Sequence, residues 1–185
     1  HQEGMAVKNL GLINPVVIGA VNTGALREST YGKNLDNCFV EGGYVKGTDT
    51  VGGLVGLLNY SSASYCYTTC DVEGTSNVGG ISGIAGGAAT NCYSSGNVTG
   101  TNKVGGIIGT SSYNQMKNCA VYGVVDGTTN TGIFLGNSSA STFKIIDSSY
   151  NQNVNSMLSL VGGDKKYTIT NVTGVNFGAK VGLQV

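Results

Sequence analysis

The chain has 185 residues, among them 31 glycines, one proline and no tryptophan, and a charged fraction of only 11%. Such a composition excludes long amphipathic helices and favours many tight corners. Ten basic residues balance ten acidic ones without a basic run, so the long-range field that attracts phosphates is missing and nucleic acid is not expected as a partner. No apolar stretch approaches the roughly 20 residues of a membrane-spanning helix, and membrane insertion is not expected either.

Residues 1–36 read as an eroded first rung of a repeat: Thr23-Gly-Ala-Leu26 sits 28 residues ahead of the first clear glycine box and matches its last copy. The only proline, Pro15, falls in this rung, where its missing N–H cannot interrupt the central ladders. The boxes themselves are Val51-Gly-Gly-Leu-Val-Gly56, Val78-Gly-Gly-Ile-Ser-Gly83, Val104-Gly-Gly-Ile-Ile-Gly109 and the degenerate Thr131-Gly-Ile-Phe-Leu-Gly136. Their last glycines are 27, 26 and 27 residues apart, the length of one supersecondary unit. Ahead of each box stands a cysteine (Cys38-Phe39, Cys66-Tyr67, Cys92-Tyr93, Cys119-Ala120), and between the two lies Val-x-Gly-Thr, beginning at Val45, Val72, Val98 and Val125. Rungs therefore start near residues 37, 64, 91 and 118.

A lone rung buries too few apolar side chains to offset the entropy of ordering its backbone, so neighbouring rungs must supply hydrogen bonds and cover. The expected fold is all-β: a parallel β-helix, or β-solenoid, of about five rungs of 26 to 28 residues occupying residues 1–147. Stacking in register about 4.8 Å apart makes interior ladders of Val45, Val72, Val98 and Val125 and of Leu54, Ile81, Ile107 and Phe134, with an aromatic ladder of Phe39, Tyr67 and Tyr93 on one flank. Gly47, Gly74, Gly100 and Gly127 form one glycine column and Gly56, Gly83, Gly109 and Gly136 another, where positive φ or close backbone approach is expected.

Cys38, Cys66, Cys92 and Cys119 occupy one column, with Cys70 apart. An interior ladder of small apolar thiols is the favoured reading. Stacked neighbours also fall within disulfide range, although parallel Cβ vectors strain the bridge. Metal is not expected, because a structural site needs four convergent ligands and a ladder spreads its sulfurs along a line.

Residues 148–185 leave the repeat. Ser148-Ser-Tyr-Asn151 resembles a last cysteine column with serine in place, Lys166-Tyr-Thr-Ile-Thr170 reads as a strand, and the end alternates with Val175, Phe177, Ala179, Val181, Leu183 and Val185 on one face. This segment is expected to cap the last rung or to dock on a neighbouring subunit as an assembly strand. Candidate N-glycosylation sites are Asn59, Asn97, Asn137 and Asn171, although chance Asn-x-Ser/Thr triplets are expected in so polar a chain. The Thr48, Thr75, Thr101 and Thr128 column reads as a corner hydroxyl ladder rather than an ice-binding face. Asp49, Asp71, Glu73, Asp126 and Asp147 read as solvated loop charges rather than a calcium or sugar site.

The Val-Gly-Gly boxes, the Lys8-Asn-Leu-Gly-Leu-Ile-Asn14 entry and Asn91-Cys92-Tyr93 resemble the GLUG repeats of bacterial extracellular proteins, which include adhesin-like surface proteins and non-catalytic regions of immunoglobulin A proteases. The resemblance covers roughly residues 6–151 and implies an extracellular location and the right-handed form of the parallel β-helix. It carries over no catalytic residue: no His-Glu-x-x-His sequence occurs and the only histidine is His1. The chain starts at His1 rather than methionine, as after processing or shortening, so the lack of a secretion signal does not imply the cytoplasm. The expected function is a non-enzymatic extracellular structural or adhesive protein, without cofactor, that associates with itself through its termini. The alternative is a carbohydrate-active β-helix enzyme or glycan-binding module, which needs paired carboxylates or a base with Arg or Lys facing one cleft.

Overall fold

The computed structural model describes residues 6–163 and 166–176. They form a parallel β-solenoid of five full rungs, a sixth with two strands, and two strands of a seventh. Each full rung contributes one short strand to each of five parallel sheets, here A to E in the order the chain meets them. In the second rung these are Leu35–Asp36, Phe39–Glu41, Tyr44–Lys46, Asp49–Gly52 and Val55–Asn59. Sheets A and B have seven strands; C, D and E have five.

The register follows the repeat. In sheet C, Val17, Val45, Val72, Val98 and Val125 pair in succession, and the last four are all buried. Leu54, Ile81, Ile107 and Phe134, at the bend between sheets D and E, have no exposed surface. The interior is thus filled by one narrow set of columns, each supplied by the same position of every rung.

The turn count exceeds the expected five, giving about six turns. Stacking uses backbone N–H and C=O groups, so a rung can form where the side-chain landmarks have vanished. Phe143–Ile146, Ser149–Asn151, Tyr167–Thr170 and Thr173–Val175 extend sheets A and B without a glycine box. The expected boundary at residue 147 accordingly falls between two strands of the same body.

The glycine columns hold close approaches but not positive φ. A Cβ on Gly83 would lie 2.5 Å from the backbone of Thr50 and Val51 in the preceding rung, so the box ends in glycine because two stretches of backbone come into contact there. In the repeating columns positive φ falls instead on asparagines and their substitutes, while Gly32, Gly42, Gly43 and Gly163 hold it outside those columns. One column, at the bend between sheets A and B, runs Asn9, Asn37, Tyr65, Asn91, Asn118, Asp147 and Asn171; another, inside sheet D, runs Asn22, Thr50, Asn77, Lys103 and Asn130. Asparagine tolerates the left-handed region because its short amide can hydrogen-bond locally, and stacked neighbours exploit this. Asn37 Nδ2 donates to Asn9 Oδ1 at 2.8 Å, Asn118 to Asn91, and Asn171 to Asp147 Oδ1 at 3.1 Å.

Between the sixth and seventh rungs the chain closes sheets C, D and E without adding strands to them. A single helical turn, α1 (Gln152–Asn155), is N-capped by Asn151, whose side chain accepts from Asn153 N–H. It delivers Asn155, 1% exposed, to the end of sheet C. Asn155 Oδ1 accepts from Val125 N–H at 3.1 Å and its Nδ2 donates to Gly123 C=O at 3.0 Å, so one amide side chain reproduces the pairing of a missing strand. Ser159 and Leu160 carbonyls then accept from Ile133 and Phe134 N–H, and Val161 bridges Leu135.

Candidate functional site

The outer face of sheet B is built by strand alternation. Leu12, Val40, Thr68, Ser94, Val121 and Tyr150 point inward; their neighbours point out. One outward column reads Gly11, Phe39, Tyr67, Tyr93, Ala120, Ser149 and Thr173. Its three consecutive rings stack at centroid separations of 5.0 Å (Phe39 to Tyr67) and 4.7 Å (Tyr67 to Tyr93), both within 4° of parallel. The separations match the rung spacing, as the sequence predicts. Phe39 folds over Gly11, where a Cβ would lie 2.1 Å from the ring.

At the other end the stack stops, because Ala120 follows Tyr93. The missing ring leaves a shallow hollow of about 340 Å3 lined by Asn91, Cys92, Tyr93, Asn118, Ala120 and Tyr122. Tyr122 leans across it from the neighbouring column, 6.4 Å from Tyr93 and tilted by 54°. The left-handed asparagine ladder runs two residues away, so Asn91 and Asn118 edge the same hollow. Sequence reasoning found the rings but missed this amide ladder; the signal was the Asn-Cys pair at residues 37, 91 and 118.

The ladder is electrostatically quiet. Tyr67 OH donates to Glu41, and this bond, with burial adding to it, pushes the phenol up to about 12. Burial, followed by the Glu41 charge, raises Tyr93 as well. Both tyrosines therefore present neutral rings at physiological pH.

A second concavity, of about 530 Å3, lies on the outer face of sheet C and is lined by Tyr44, Lys46, Asp71, Glu73, Asn97 and Thr99 among others. Its charges are engaged: Lys46 Nζ pairs with Glu73 at 2.7 Å, and Asp71 accepts from Asn97 N–H at 2.9 Å. Both members of the ion pair are about half exposed, which limits its contribution to well under 1 kcal/mol. Of the other carboxylates singled out, Asp49 accepts from Asn77, and Asp147 from Asn171 while lying 3.9 Å from Lys117. Asp126 stands on the outer face of sheet C. Among the described residues, no three His, Cys, Asp or Glu side chains come together as a metal site.

All five cysteines are free and buried. Cys38, Cys66, Cys92 and Cys119 form the expected interior ladder, continued by Ser148, whose Oγ accepts from Cys119 N–H at 3.1 Å. Each of the four thiols donates to a backbone carbonyl at 3.2 to 3.5 Å. Burial raises Cys38 and lifts Cys70 to about 11; the Cys92 thiol, with burial, raises Cys66, and the Cys119 thiol does the same for Cys92.

Of the candidate glycosylation sites, Asn97 and Asn171 are exposed, while Asn59 and Asn137 are half-buried. The Asn171 amide nitrogen is already engaged with Asp147. Of the candidate assembly strand, Val175 ends the second strand of the seventh rung, paired with Asn151 of its own chain; Phe177, Ala179, Val181, Leu183 and Val185 lie outside the described residues. The Thr48, Thr75, Thr101 and Thr128 column is a corner ladder, each N–H reaching a carbonyl of the rung before it. Among the described residues, no helix is long and apolar enough to cross a membrane.

No protein-family profile and no curated protein matches this sequence. Among solved structures, the fold is similar to that of a Bacteroides ovatus protein provisionally named an immunoglobulin A1 protease, with a TM-score of 0.62 at 20% identity. The match covers 93% of this chain and 58% of that one. Likeness at this identity is one of fold, a β-solenoid.

Proposed function

We propose that this chain is a non-enzymatic, extracellular adhesive module of the GLUG-repeat type, which engages glycans through the aromatic and asparagine flank. One observation carries the reading: three neutral rings in register on a solvent-facing column, ending at the Ala120 hollow, which the Asn91 and Asn118 amides edge. A flat apolar face edged by amide donors and acceptors is the complement of a sugar ring, whose C–H face stacks on aromatics while its hydroxyls take hydrogen bonds. Repetition at about 4.8 Å suits an extended ligand held by several weak contacts. The shared solenoid of a protein named as a protease supports a surface role only by analogy of fold.

The test is a glycan array probed with the fluorescently labelled 185-residue chain, repeated with Tyr93→Ala and Asn118→Ala after circular dichroism has verified their folding. Selective binding that both substitutions weaken supports the reading. An array that stays dark, or binding that neither substitution alters, rejects it. Release of cleaved product from a bound glycan would move the assignment to the carbohydrate-active alternative.

A further inference from the structure

The two ends of the solenoid differ from its middle, and they differ in complementary ways. Every strand of the first rung pairs on one side only, with the second rung, among the described residues. Its inward Val7, Leu12, Val17 and Leu26 are only partly covered, whereas Leu35, Val40, Val45 and Leu54 one rung later are fully buried. Outward, the same rung exposes Ile13, Val16, Ile18 and Val21 by 60 to 70%. At the far end Tyr167–Thr170 and Thr173–Val175 likewise pair on one side only among the described residues. Ile169 is 55% exposed there although it continues the buried Met116 and Ile145 column, and Met157, just past α1, is 94% exposed.

We infer that a second copy of this chain docks head to tail, its first rung continuing sheets A and B beyond the seventh rung of the first copy. The columns specify the register. The series Val7, Leu35, Ala63, Ala89, Met116, Ile145 and Ile169 would resume with the second copy's Val7 above Ile169. The amide pairs of the asparagine column share one direction: Asn37 donates to Asn9, Asn118 to Asn91 and Asn171 to Asp147, each toward the rung before it. Asn171 therefore spends its NH2 on Asp147 and keeps Oδ1, while Asn9 spends Oδ1 on Asn37 and keeps its NH2. The second copy's Asn9 would donate to Asn171, adding a pair of the same direction across the joint. Asn155 and the segment after it close sheets C, D and E, so the joint uses A and B, with the apolar Val154 and Met157 available to the second copy's Val16 and Ile18.

The first rung's cover cannot be the chain's own residues 177–185. They start at the seventh rung, six steps or about 29 Å away at the rung spacing. Nine residues reach about 30 Å only when fully extended, which leaves none to lie along the first rung. That segment could instead cover the seventh rung, an outcome the test separates.

The test uses the 185-residue chain carrying both Asn9→Cys and Asn171→Cys, treated with a short bismaleimide under native conditions, with the unmodified chain showing that the buried native thiols stay silent. Sites on opposite ends cannot be bridged within one molecule, so a ladder of covalent dimers, trimers and longer species is expected. Chains carrying only one substitution should give the dimer when mixed and none when treated separately. Val16→Lys with Ile18→Lys, both at exposed positions, should raise the concentration for half-assembly at least tenfold in light scattering. A monomer at millimolar concentration with no ladder overturns the inference, as does an Asn9→Cys homodimer, which would mean head-to-head contact. A ladder that forms only after residues 177–185 are deleted also overturns it, and assigns the seventh rung to the chain's own tail.

Discussion

Replacing Asn155 by alanine should unravel the C-terminal end of the solenoid while leaving its centre intact. The side chain is 1% exposed and serves two backbone groups, Val125 N–H at 3.1 Å and Gly123 C=O at 3.0 Å. Alanine leaves both without their side-chain partner in a buried site, at roughly 1–3 kcal/mol per orphaned group, or about 2–6 kcal/mol for the two. About 4 kcal/mol is the centre, and at roughly 2–4 °C per kcal/mol for a chain of this size the first thermal transition should fall by about 8–16 °C. Because each rung contacts only its neighbours, the loss should be local. Hydrogen exchange at Val125, Ile133 and Phe134, whose N–H groups the same segment caps, should accelerate well before exchange at Val72 or Val98. Asn155→Asp should be no milder, since it keeps the acceptor for Val125 but loses the donor to Gly123 and buries a charge. Unchanged exchange at Val125, Ile133 and Phe134 of the fifth rung in Asn155→Ala, with an unchanged melting temperature, would refute the view that one amide stands in for a strand.

Val98 is 1% exposed in the middle of its column, so Val98→Asp should cost several kcal/mol by burying an unpaired carboxylate. Asn97→Asp, next to it on the outer face and retaining the oxygen that accepts from Val124 N–H, should change the melting temperature little; equal effects would invert the inside and outside assignment. The thiol column makes the fold alkali-labile. Cys38, Cys66, Cys70 and Cys92 all hold their protons more tightly when folded, so their contribution is complete below the unfolded thiol value of about 8.5 and is lost as pH rises toward the folded values. Urea titrations should show stability falling from about pH 9 upward by at most about 5 kcal/mol per pH unit. Cys70→Ala should lessen that slope by about 1.4 kcal/mol per unit up to about pH 11, and a flat profile in the parent chain would mean that the thiols are not buried.

How much of this was legible in the sequence depended on what each feature is made of. The repeat announced the fold because interior columns and close backbone contacts select side chains: valine in sheet C, and glycine where a Cβ at Gly83 would meet the Thr50 backbone. Of the sixth and seventh turns only pieces were legible, Ser148 in the cysteine column and a strand near 166–170, because ladders of backbone hydrogen bonds select almost nothing and Tyr167–Thr170 stacks on Phe143–Ile146 without a glycine box. The cap was hidden for a related reason, since any chain path that brings an amide to Val125 would serve, and Asn155 sits in no recognisable motif. The glycine columns were expected to hold positive φ or close backbone approach; they hold the close approach, while positive φ in the stacked columns falls mainly on asparagine, whose amides pair some of the rungs. The aromatic flank was readable as a column, but the hollow beyond Tyr93 depended on noticing that Ala120 breaks it.

That break bears on whether the rings exist for stability or for contact. The same column carries Gly11, Ala120, Ser149 and Thr173 in other rungs, so the fold accepts a side chain of almost any size there and does not require an aromatic. Stacked pairs still contribute, at roughly 0.5–1.5 kcal/mol each. Tyr67 belongs to two pairs and bonds Glu41, whereas Tyr93 belongs to one stacked pair and turns its other face to the hollow. A purely structural ladder and a contact surface therefore rank the two tyrosines in opposite orders. Tyr67→Ala should cost about twice as much stability as Tyr93→Ala, read as the shift in urea midpoint, while Tyr93→Ala should cost more ligand affinity on any glycan that the array identifies. Should Tyr67→Ala prove the more damaging in both measurements, the ladder is a staple for the rungs, and the adhesive surface must be sought on another face.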